Sequence, residues 1–163
     1  MITVNTEAAN SSSESAGNPG YKKPDWFTKH LMNPLVNGLT RTGISVMGSR
    51  VLEHTGRKTG EVHHTPVNLL HLDGKQYLMS PRGETQWVRN VRAAEGRLIL
   101  VKGRKRSEYQ ATEVTTDERI AILRAYLAKW KFEVGMFFDG VGPESSDDEI
   151  RAIANRHPVF ILI

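Results

Sequence analysis

The stretch 51-VLEHTGRKTGEVHHTPVNLLHLDGKQYLMS-80 predicts three β-strands joined by two tight turns. Val51–Thr55 is a short strand, and Gly56–Gly60 is a turn with a glycine at each end. A longer strand follows over Val62–Leu72. Asp73-Gly74 is a strong hairpin signal, so Lys75–Ser80 is the returning strand. Two consecutive hairpins favour an antiparallel sheet over a doubly wound parallel one.

Pro66 stands in the middle of the second predicted strand. Proline has no backbone N–H to donate to a neighbouring strand, and it is therefore confined to sheet edges, bulges and strand ends. We expect this strand to lie at an edge, to bulge or to break at Pro66.

Three more strands are predicted towards the C-terminus. Arg97–Lys102 and Ser107–Val114 flank a turn at Gly103–Arg106, which makes them an antiparallel pair. The apolar run Pro158–Ile163 ends the chain as a buried strand. About six mostly antiparallel strands joined by hairpins indicate a small barrel or a rolled sheet.

Helices are predicted at the periphery of that sheet, so the fold class is mainly β, of the α+β type. The middle helix should bury an apolar face that includes Tyr126. No strand–Gly-x-Gly-x-x-Gly–helix unit is present, which argues against a nicotinamide-binding Rossmann domain. The helix starts are predicted from capping residues: Thr85 for a helix that ends at Gly96, Thr115 with Glu118, and Ser146 with Glu149 for a helix to about Arg156.

The N-terminal stretch differs in composition from the remainder. Residues 1–20 are rich in Ser, Asn, Ala and Gly, and such a segment buries too little apolar surface to offset its ordering entropy. We expect a disordered tail over 1–20 and one folded domain over 21–163. Within that domain Asp25–Leu39 has apolar residues at four-residue spacing, which predicts a helix kinked at Pro34.

Composition excludes several classes of function. The 163 residues contain no cysteine, which rules out disulfides, thiol nucleophiles and thiolate metal sites. Neither a signal peptide nor an apolar run of bilayer length is present, so a cytoplasmic protein with at most a loose peripheral membrane contact is expected. The formal net charge of +4 favours anionic small molecules, phosphates or acidic membrane surfaces as partners.

The turn Gly56–Gly60 is the first candidate binding site. Its glycines let the backbone approach a ligand closely, and Arg57, Lys58 and Thr59 offer a guanidinium, an ammonium and a hydroxyl. Together these groups suit a phosphate. The alternative is a solvated hairpin turn whose charges serve only solubility.

A second candidate site follows the third strand. Ser80-Pro81-Arg82-Gly83 is a loop that enters a helix, and such a loop directs backbone amides at anions. Trp87 and Asn90 are three residues apart and share one helix face. Trp87 could equally be a core anchor, and both interpretations can hold together.

Two other chemistries are disfavoured. His63 and His64 are adjacent on a strand and point to opposite faces, so they do not bind one metal ion together, and no metal is expected. The basic run Lys102–Arg106 lacks interleaved aromatic residues for base stacking, so it is interpreted as an exposed hairpin tip and no nucleic acid is expected.

Phe132, Met136, Phe137 and Phe138 lie in or beside a glycine-containing loop. They either line an apolar substrate pocket or cover the barrel. The sequence contains no serine elbow and no recognisable pair of catalytic carboxylates. This pattern favours chemistry carried by a cofactor, for which the protein supplies binding and orientation.

From about Asn33 to Ile163, the chain resembles the deazaflavin-dependent nitroreductase and quinone-reductase family of split β-barrels. The resemblance rests on Gly56–Gly60, on Thr65-Pro66, on Asp73-Gly74, and on Ser80 with Gly83, Trp87 and Asn90. It implies reduced coenzyme F420 as the hydride donor and a quinone, nitroaromatic or activated alkene as the acceptor. The acceptor is then a small molecule, and the protein a monomer or a homodimer.

The resemblance also implies roles for individual residues. The coenzyme's phosphate and acidic tail would meet Arg57, Lys58 and Thr59. Ser80 would orient the reacting ring by a hydrogen bond. The cofactor-binding set is Arg57, Lys58, Thr59, Gly60, His63, Thr65, Pro66, Val67, Ser80, Pro81, Arg82, Gly83, Trp87 and Asn90, and the substrate-binding set is Asn68, Tyr126, Phe132, Phe137 and Phe138.

The chain departs from the family pattern at three places. His63 stands where members often have arginine, Asn68 stands where nitro-reducing members carry tyrosine, and the loop after Ser80 is shorter. Two alternatives to the reductase are a non-catalytic carrier of coenzyme F420 and a related barrel that binds FMN.

Overall fold

The computed structural model describes residues 49–163, which form a closed barrel of six antiparallel strands with three α-helices. The expected tail over 1–20 and the expected helix Asp25–Leu39 lie outside these residues. The strands are β1 (Ser49–Thr55), β2 (Val62–Leu72), β3 (Lys75–Met79), β4 (Arg97–Lys102), β5 (Lys105–Glu113) and β6 (Val159–Leu162). The helices are α1 (Gln86–Ala93), α2 (Glu118–Val134) and α3 (Asp147–Ala154), and a 3₁₀ turn spans Gly135–Phe137.

The strand order around the barrel is β1-β2-β3-β6-β5-β4. Strand β2 pairs with β1 as far as Asn68 and with β3 from Leu69 onward, so it belongs to two sheets. Strand β5 is shared in the same way between β4 and β6. The predicted fold class, mainly β with peripheral helices, is confirmed.

Two prolines explain where β2 and β3 separate. Continuing the observed register, in which Leu69 opposes Leu78, would place Pro66 opposite Pro81. Neither proline has an N–H, so a ladder cannot form between them. Pro66 instead pairs with Val51 of β1 only, and the Ser80 N–H turns to the carbonyl of Pro158 at 3.0 Å. The expectation of an edge at Pro66 is confirmed, and the gap opens beside it.

The core has two parts on opposite faces of the strands. Alternate apolar residues from all six strands, such as Leu52 and Leu78, pack with Trp87, Val88 and Val91 of α1 in the barrel interior. The other set packs outside β2, β3 and β6 against α2 and α3. There α2 buries all five residues of the face predicted for it, namely Ile122, Leu123, Tyr126, Leu127 and Trp130.

Several predicted element ends are corrected. The N-cap of α2 is Asp117 and makes no side-chain cap hydrogen bond, so the capping box expected at Thr115 and Glu118 is wrong. The capping box at Ser146 and Glu149 is confirmed. Smaller shifts affect β1, which begins at Ser49, β5, which begins at Lys105, and α3, which ends at Ala154.

Candidate functional site

Two adjoining cavities lie where β2 leaves β3. The inner cavity, of about 290 Å³, is bounded by the Thr65–Asn68 segment, the Met79–Arg82 loop, the start of α1 and one side of α2. The turn cavity, of about 400 Å³, is bounded by the Gly56–Thr59 turn, three histidines and Asn90. Thr65 and Gln86 line both cavities, which therefore lie side by side, and the two together are called the cleft below.

The turn between β1 and β2 is closed by its own backbone. The Gly56 N–H donates to Glu61 O at 2.7 Å, and the Gly60 N–H donates to Gly56 O at 2.8 Å. A Cβ on Gly56 would lie 2.6 Å from His63 Nε2 and 2.9 Å from Thr59 Oγ1. A larger residue at this position would have to displace the side chains of His63 and Thr59.

Arg57 fastens this turn to helix α1. Its Nη1 donates to Asn90 Oδ1 at 2.9 Å and to Gln86 Oε1 at 2.8 Å, and its backbone N–H donates to Asn90 Oδ1 at 3.2 Å. Lys58 is exposed and lines the turn cavity. The turn therefore combines a fixed guanidinium with an exposed ammonium at one end of the cleft.

His54 is a buried site residue that the sequence analysis missed. Its ring is 5% exposed, lies 3.1 Å from Asn90 Nδ2 and 3.2 Å from Thr65 Oγ1, and stacks on His63 with centroids 5.7 Å apart. Burial, followed by the charges of His63 and His64, lowers the pKa of His54 to about 4. The imidazole is therefore neutral at neutral pH.

His63 and His64 diverge, as alternation along a strand predicts. His63 stacks on His54, whereas His64 pairs with the buried carboxylate of Glu53 at 3.2 Å. Arg106 of the basic hairpin reaches the other oxygen of Glu53 at 2.6 Å. Arg106, a residue of the basic run, thus forms an ion-pair group with Glu53 and His64 on the barrel.

Ser80 and its loop form one wall of the inner cavity. Ser80 is 1% exposed, and its hydroxyl lies 3.3 Å from that of Thr85. The N-cap Thr85 makes no cap hydrogen bond, so its hydroxyl serves this contact. At the rim, the Arg82 guanidinium lies 5.0 Å from the centroid of the Phe137 ring, a cation–π contact.

Asn68 is a buried polar residue that lines the inner cavity. It is 2% exposed, yet neither its carbonyl oxygen nor its amide nitrogen makes a hydrogen bond of standard geometry in the described structure. Burial raises the pKa of the neighbouring Tyr126 phenol, and Asn68 opposes that rise. Apart from this contact with Tyr126, the buried carboxamide makes no hydrogen bond of standard geometry, so it suits a bound molecule with both donors and acceptors.

The three phenylalanines of the predicted substrate set have different environments. Phe137 lines the inner cavity. Phe138 is fully buried in the core and stacks on His157 with centroids 4.2 Å apart. Phe132 is 104% exposed and lines neither cavity. Phe137 is therefore placed to contact a molecule in the inner cavity, whereas Phe138 covers the barrel.

Most of the predicted set meets in the cleft. Trp87 is both a core anchor, tilted against Phe160, and a lining residue of the inner cavity. Gln86 and Val134 line the cleft but were not predicted, because nothing distinguishes them from other helical residues. The predicted residues that line it are Arg57, Lys58, Thr59, His63, Thr65, Pro66, Val67, Asn68, Ser80, Pro81, Arg82, Trp87, Asn90, Tyr126 and Phe137.

Two features are absent from residues 49–163. No group of three or more metal-binding side chains is placed to hold an ion in this part of the chain. None of its helices is long and apolar enough to cross a membrane. The cleft is thus built from hydrogen-bonding, basic and apolar groups.

Comparisons with known proteins agree with this architecture. The chain is similar to an F420-H2 dependent reductase, FDR-A, with a TM-score of 0.51 and 18% identity over 72% of this chain and 95% of that one. It is equally similar to a domain-swapped dimer, with a TM-score of 0.51 and 18% identity over 85% of this chain and 98% of that one. At these identities the likeness establishes the fold alone. A comparison with curated protein sequences finds no significant match.

A family model decides the relationship. The model of the F420H(2)-dependent quinone reductases matches residues 26–133, which include the Gly56–Gly60 turn, the Ser80 loop and helix α1. The cofactor of this family is coenzyme F420, as the resemblance implied. The chain therefore belongs to the F420H(2)-dependent quinone reductase family.

Proposed function

We propose that this protein transfers a hydride from F420H2 to an apolar, electron-poor acceptor, with a quinone as the first candidate and a nitroaromatic or activated alkene as alternatives. The observation that carries this proposal is the joining of a basic, polar cavity to an apolar one at Thr65 and Gln86. An anionic coenzyme with a planar ring needs both environments, and an apolar acceptor needs the second.

The coenzyme's phosphate and acidic tail are proposed to bind at the turn cavity. Lys58 is exposed there, and Arg57 is held in place by Asn90 and Gln86, so its charge is oriented before any ligand arrives. Preorganised charges bind anions with a smaller entropy cost. Thr59 and His63 line the same cavity, and Gly60 ends the turn beside them.

The deazaflavin ring and ribityl chain are proposed to lie in the inner cavity. Pro66 and Val67 of β2 line this cavity, as do Ser80 and Arg82 of the loop, which Gly83 follows directly. Support comes from the gap between β2 and β3, which two prolines keep open. A flat ring can enter this gap without breaking any interstrand hydrogen bond.

When bound, the coenzyme supplies the hydride. Addition of hydride to a quinone gives the hydroquinone monoanion, which takes a proton from water. The Asn68 amide, which makes no hydrogen bond of standard geometry in the described structure, is suited to donate to the acceptor oxygen that gains negative charge. Tyr126 and Phe137 border the same cavity and exclude water from it. No protein base is needed for this step.

The decisive experiment is a titration of the protein with coenzyme F420, FMN and NADPH, followed by steady-state turnover of a menadione-like quinone with F420H2. We expect coenzyme F420 to bind and the quinone to be reduced. Tight binding with no reduction of quinone, nitroaromatic or enone acceptors would identify a carrier instead. Selective binding of FMN, recognised by its absorption spectrum, would contradict the assignment of the coenzyme.

Ser80→Ala should slow turnover ten- to a hundredfold without abolishing it. The hydroxyl is nearly fully buried and lines the inner cavity, so its loss removes one orienting hydrogen bond, worth about 1–3 kcal/mol in a dry site. Steady-state turnover at saturating coenzyme measures the effect, with Ser107→Ala on β5 as the control. Complete loss of activity would instead make Ser80 essential to the chemistry.

The three phenylalanines should respond differently to alanine substitution. Phe137→Ala should raise the KM for the quinone about fivefold, since it removes one aromatic wall. Phe138→Ala should lower the free energy of unfolding by about 3–5 kcal/mol, since that ring is fully buried. Phe132→Ala is the matched control and should change neither quantity. A KM effect at Phe132 would move the acceptor entrance to the outer surface of α2.

A further inference from the structure

Four polar residues form a continuous hydrogen-bond chain from the turn to the cleft. Arg57 donates to Asn90 Oδ1, Asn90 Nδ2 lies 3.1 Å from His54 Nδ1, and His54 Nε2 lies 3.2 Å from Thr65 Oγ1. Asn90 and His54 are 4% and 5% exposed, so solvent does not compete for these contacts.

The direction of each hydrogen bond follows from its donors. Two N–H groups of Arg57 point at Asn90 Oδ1, which fixes that atom as the oxygen and leaves the amide N–H to face His54. His54 Nδ1 must then accept. A neutral imidazole that accepts at Nδ1 carries its hydrogen on Nε2, and this hydrogen is donated to Thr65 Oγ1.

The electrostatic surroundings keep His54 in this neutral form. Burial disfavours a positive charge on its ring, His63 and His64 of β2 oppose that charge further, and the Glu53 carboxylate is engaged by His64 and Arg106. A protonated ring would also direct an N–H at the amide N–H of Asn90. The electrostatic surroundings and the hydrogen-bond geometry therefore both favour the neutral form of His54.

The chain ends at an oxygen with a hydrogen still to give. The Thr65 hydroxyl accepts from His54, so its own hydrogen is available as a donor, and Thr65 lines both cavities at their junction. We propose that His54 is a positioning residue which, held by Asn90, fixes the Thr65 hydroxyl as a hydrogen-bond donor to an acceptor oxygen or nitrogen of the bound coenzyme. This inference rests on the proposed placement of the coenzyme in the cleft.

The first test needs no ligand. Imidazole ¹⁵N chemical shifts of the full-length protein at pH 7 should show His54 as the neutral tautomer with hydrogen on Nε2. Hydrogen on Nδ1, or a charged ring, would overturn the proposed direction of the chain. Because this measurement is made without coenzyme, it separates failure of the hydrogen-bond chain from failure of the proposed function.

The second test is a double-mutant cycle on coenzyme F420 affinity, measured by calorimetric titration. Thr65→Val removes the hydroxyl at constant shape and should weaken binding about tenfold, whereas Thr65→Ser should bind normally. His54→Leu should cause a similar loss. The double variant should be no weaker than Thr65→Val alone, because His54 acts through that hydroxyl.

Recovery of coenzyme affinity by a second His54 variant distinguishes a positioning role from a purely structural role in holding the turn. His54→Gln keeps one acceptor and one donor, so it should recover most of the affinity that His54→Leu loses, and it stays informative where His54→Leu fails to fold. Independent, additive losses in the cycle would contradict the proposal. So would unchanged affinity in Thr65→Val, while a wild-type protein that binds no coenzyme would overturn its placement in the cleft.

Discussion

The double variant Arg57→Ala/Lys58→Ala should bind coenzyme F420 about a hundredfold more weakly than the wild type. Charge-assisted hydrogen bonds contribute roughly 1.5–3 kcal/mol each, and both cations line the turn cavity. Lys58→Ala alone should account for about tenfold of this loss. Arg57→Ala also releases Asn90 and Gln86 and removes the fixed geometry of the turn.

The salt dependence of binding provides the internal check. Added salt should weaken coenzyme binding by the wild type more than by the double variant, because the variant has lost the screened charges. Arg104→Ala/Lys105→Ala is the matched control: it removes the same net charge from the exposed β4–β5 hairpin, at the other end of β1 from the turn. Equal affinity and equal salt dependence in all three proteins would show that the turn is only a solvated hairpin.

Gly96→Ala should cost about 4 kcal/mol of unfolding free energy or more. A Cβ at this position would lie 2.0 Å from the carbonyl oxygen of Ala111, and the φ of Gly96 is +86°. The glycine cannot move away, because its N–H donates to Val91 O and its carbonyl accepts from the Ala111 N–H, each at 2.8 Å. Backbone strain at position 96 and the clash with Ala111 therefore both lower the free energy of unfolding, and the two losses add.

Gly103→Ala separates these two contributions. Its φ of +59° carries the same kind of backbone strain, but nothing lies within 4 Å of the added Cβ. We expect a loss of about 1–2 kcal/mol in chemical denaturation. If Gly96→Ala is no less stable than Gly103→Ala, the segment between α1 and β4 does not approach β5 as closely as the structure has it.

The strands were largely predictable because their signals are local. Val62–Leu72 and Arg97–Lys102 have the predicted bounds, since a glycine turn flanks each strand at both ends. The start of β5 was misplaced by two residues. Lys105 and Arg106 look like turn residues in sequence, but Arg106 extends the ladder and binds the distant Glu53.

The candidate site was predictable where a ligand-binding motif is contiguous. The turn with Arg57 and the loop with Ser80 were both found, and the structure brings them to one cleft. His54 was missed, because its value lies in contacts with Asn90 and Thr65 that have no signature in the sequence. Phe132 and Phe138 were predicted to contact the substrate, but they line neither cavity. The sequence does not show in which direction an aromatic side chain points.

The sequence by itself determined about six strands, the absence of thiol chemistry and an edge, a bulge or a break in β2 at Pro66. The gap between β2 and β3 opens there because neither Pro66 nor Pro81 has a backbone N–H to donate to the other strand. Only the tertiary structure decided which side chains face that gap and in what state. Burial of His54 beside Asn90, and of Asn68 beside Tyr126, depends on strands and helices far apart in the chain. Removal from water sets both the charge of the histidine and the open hydrogen-bonding capacity of the amide.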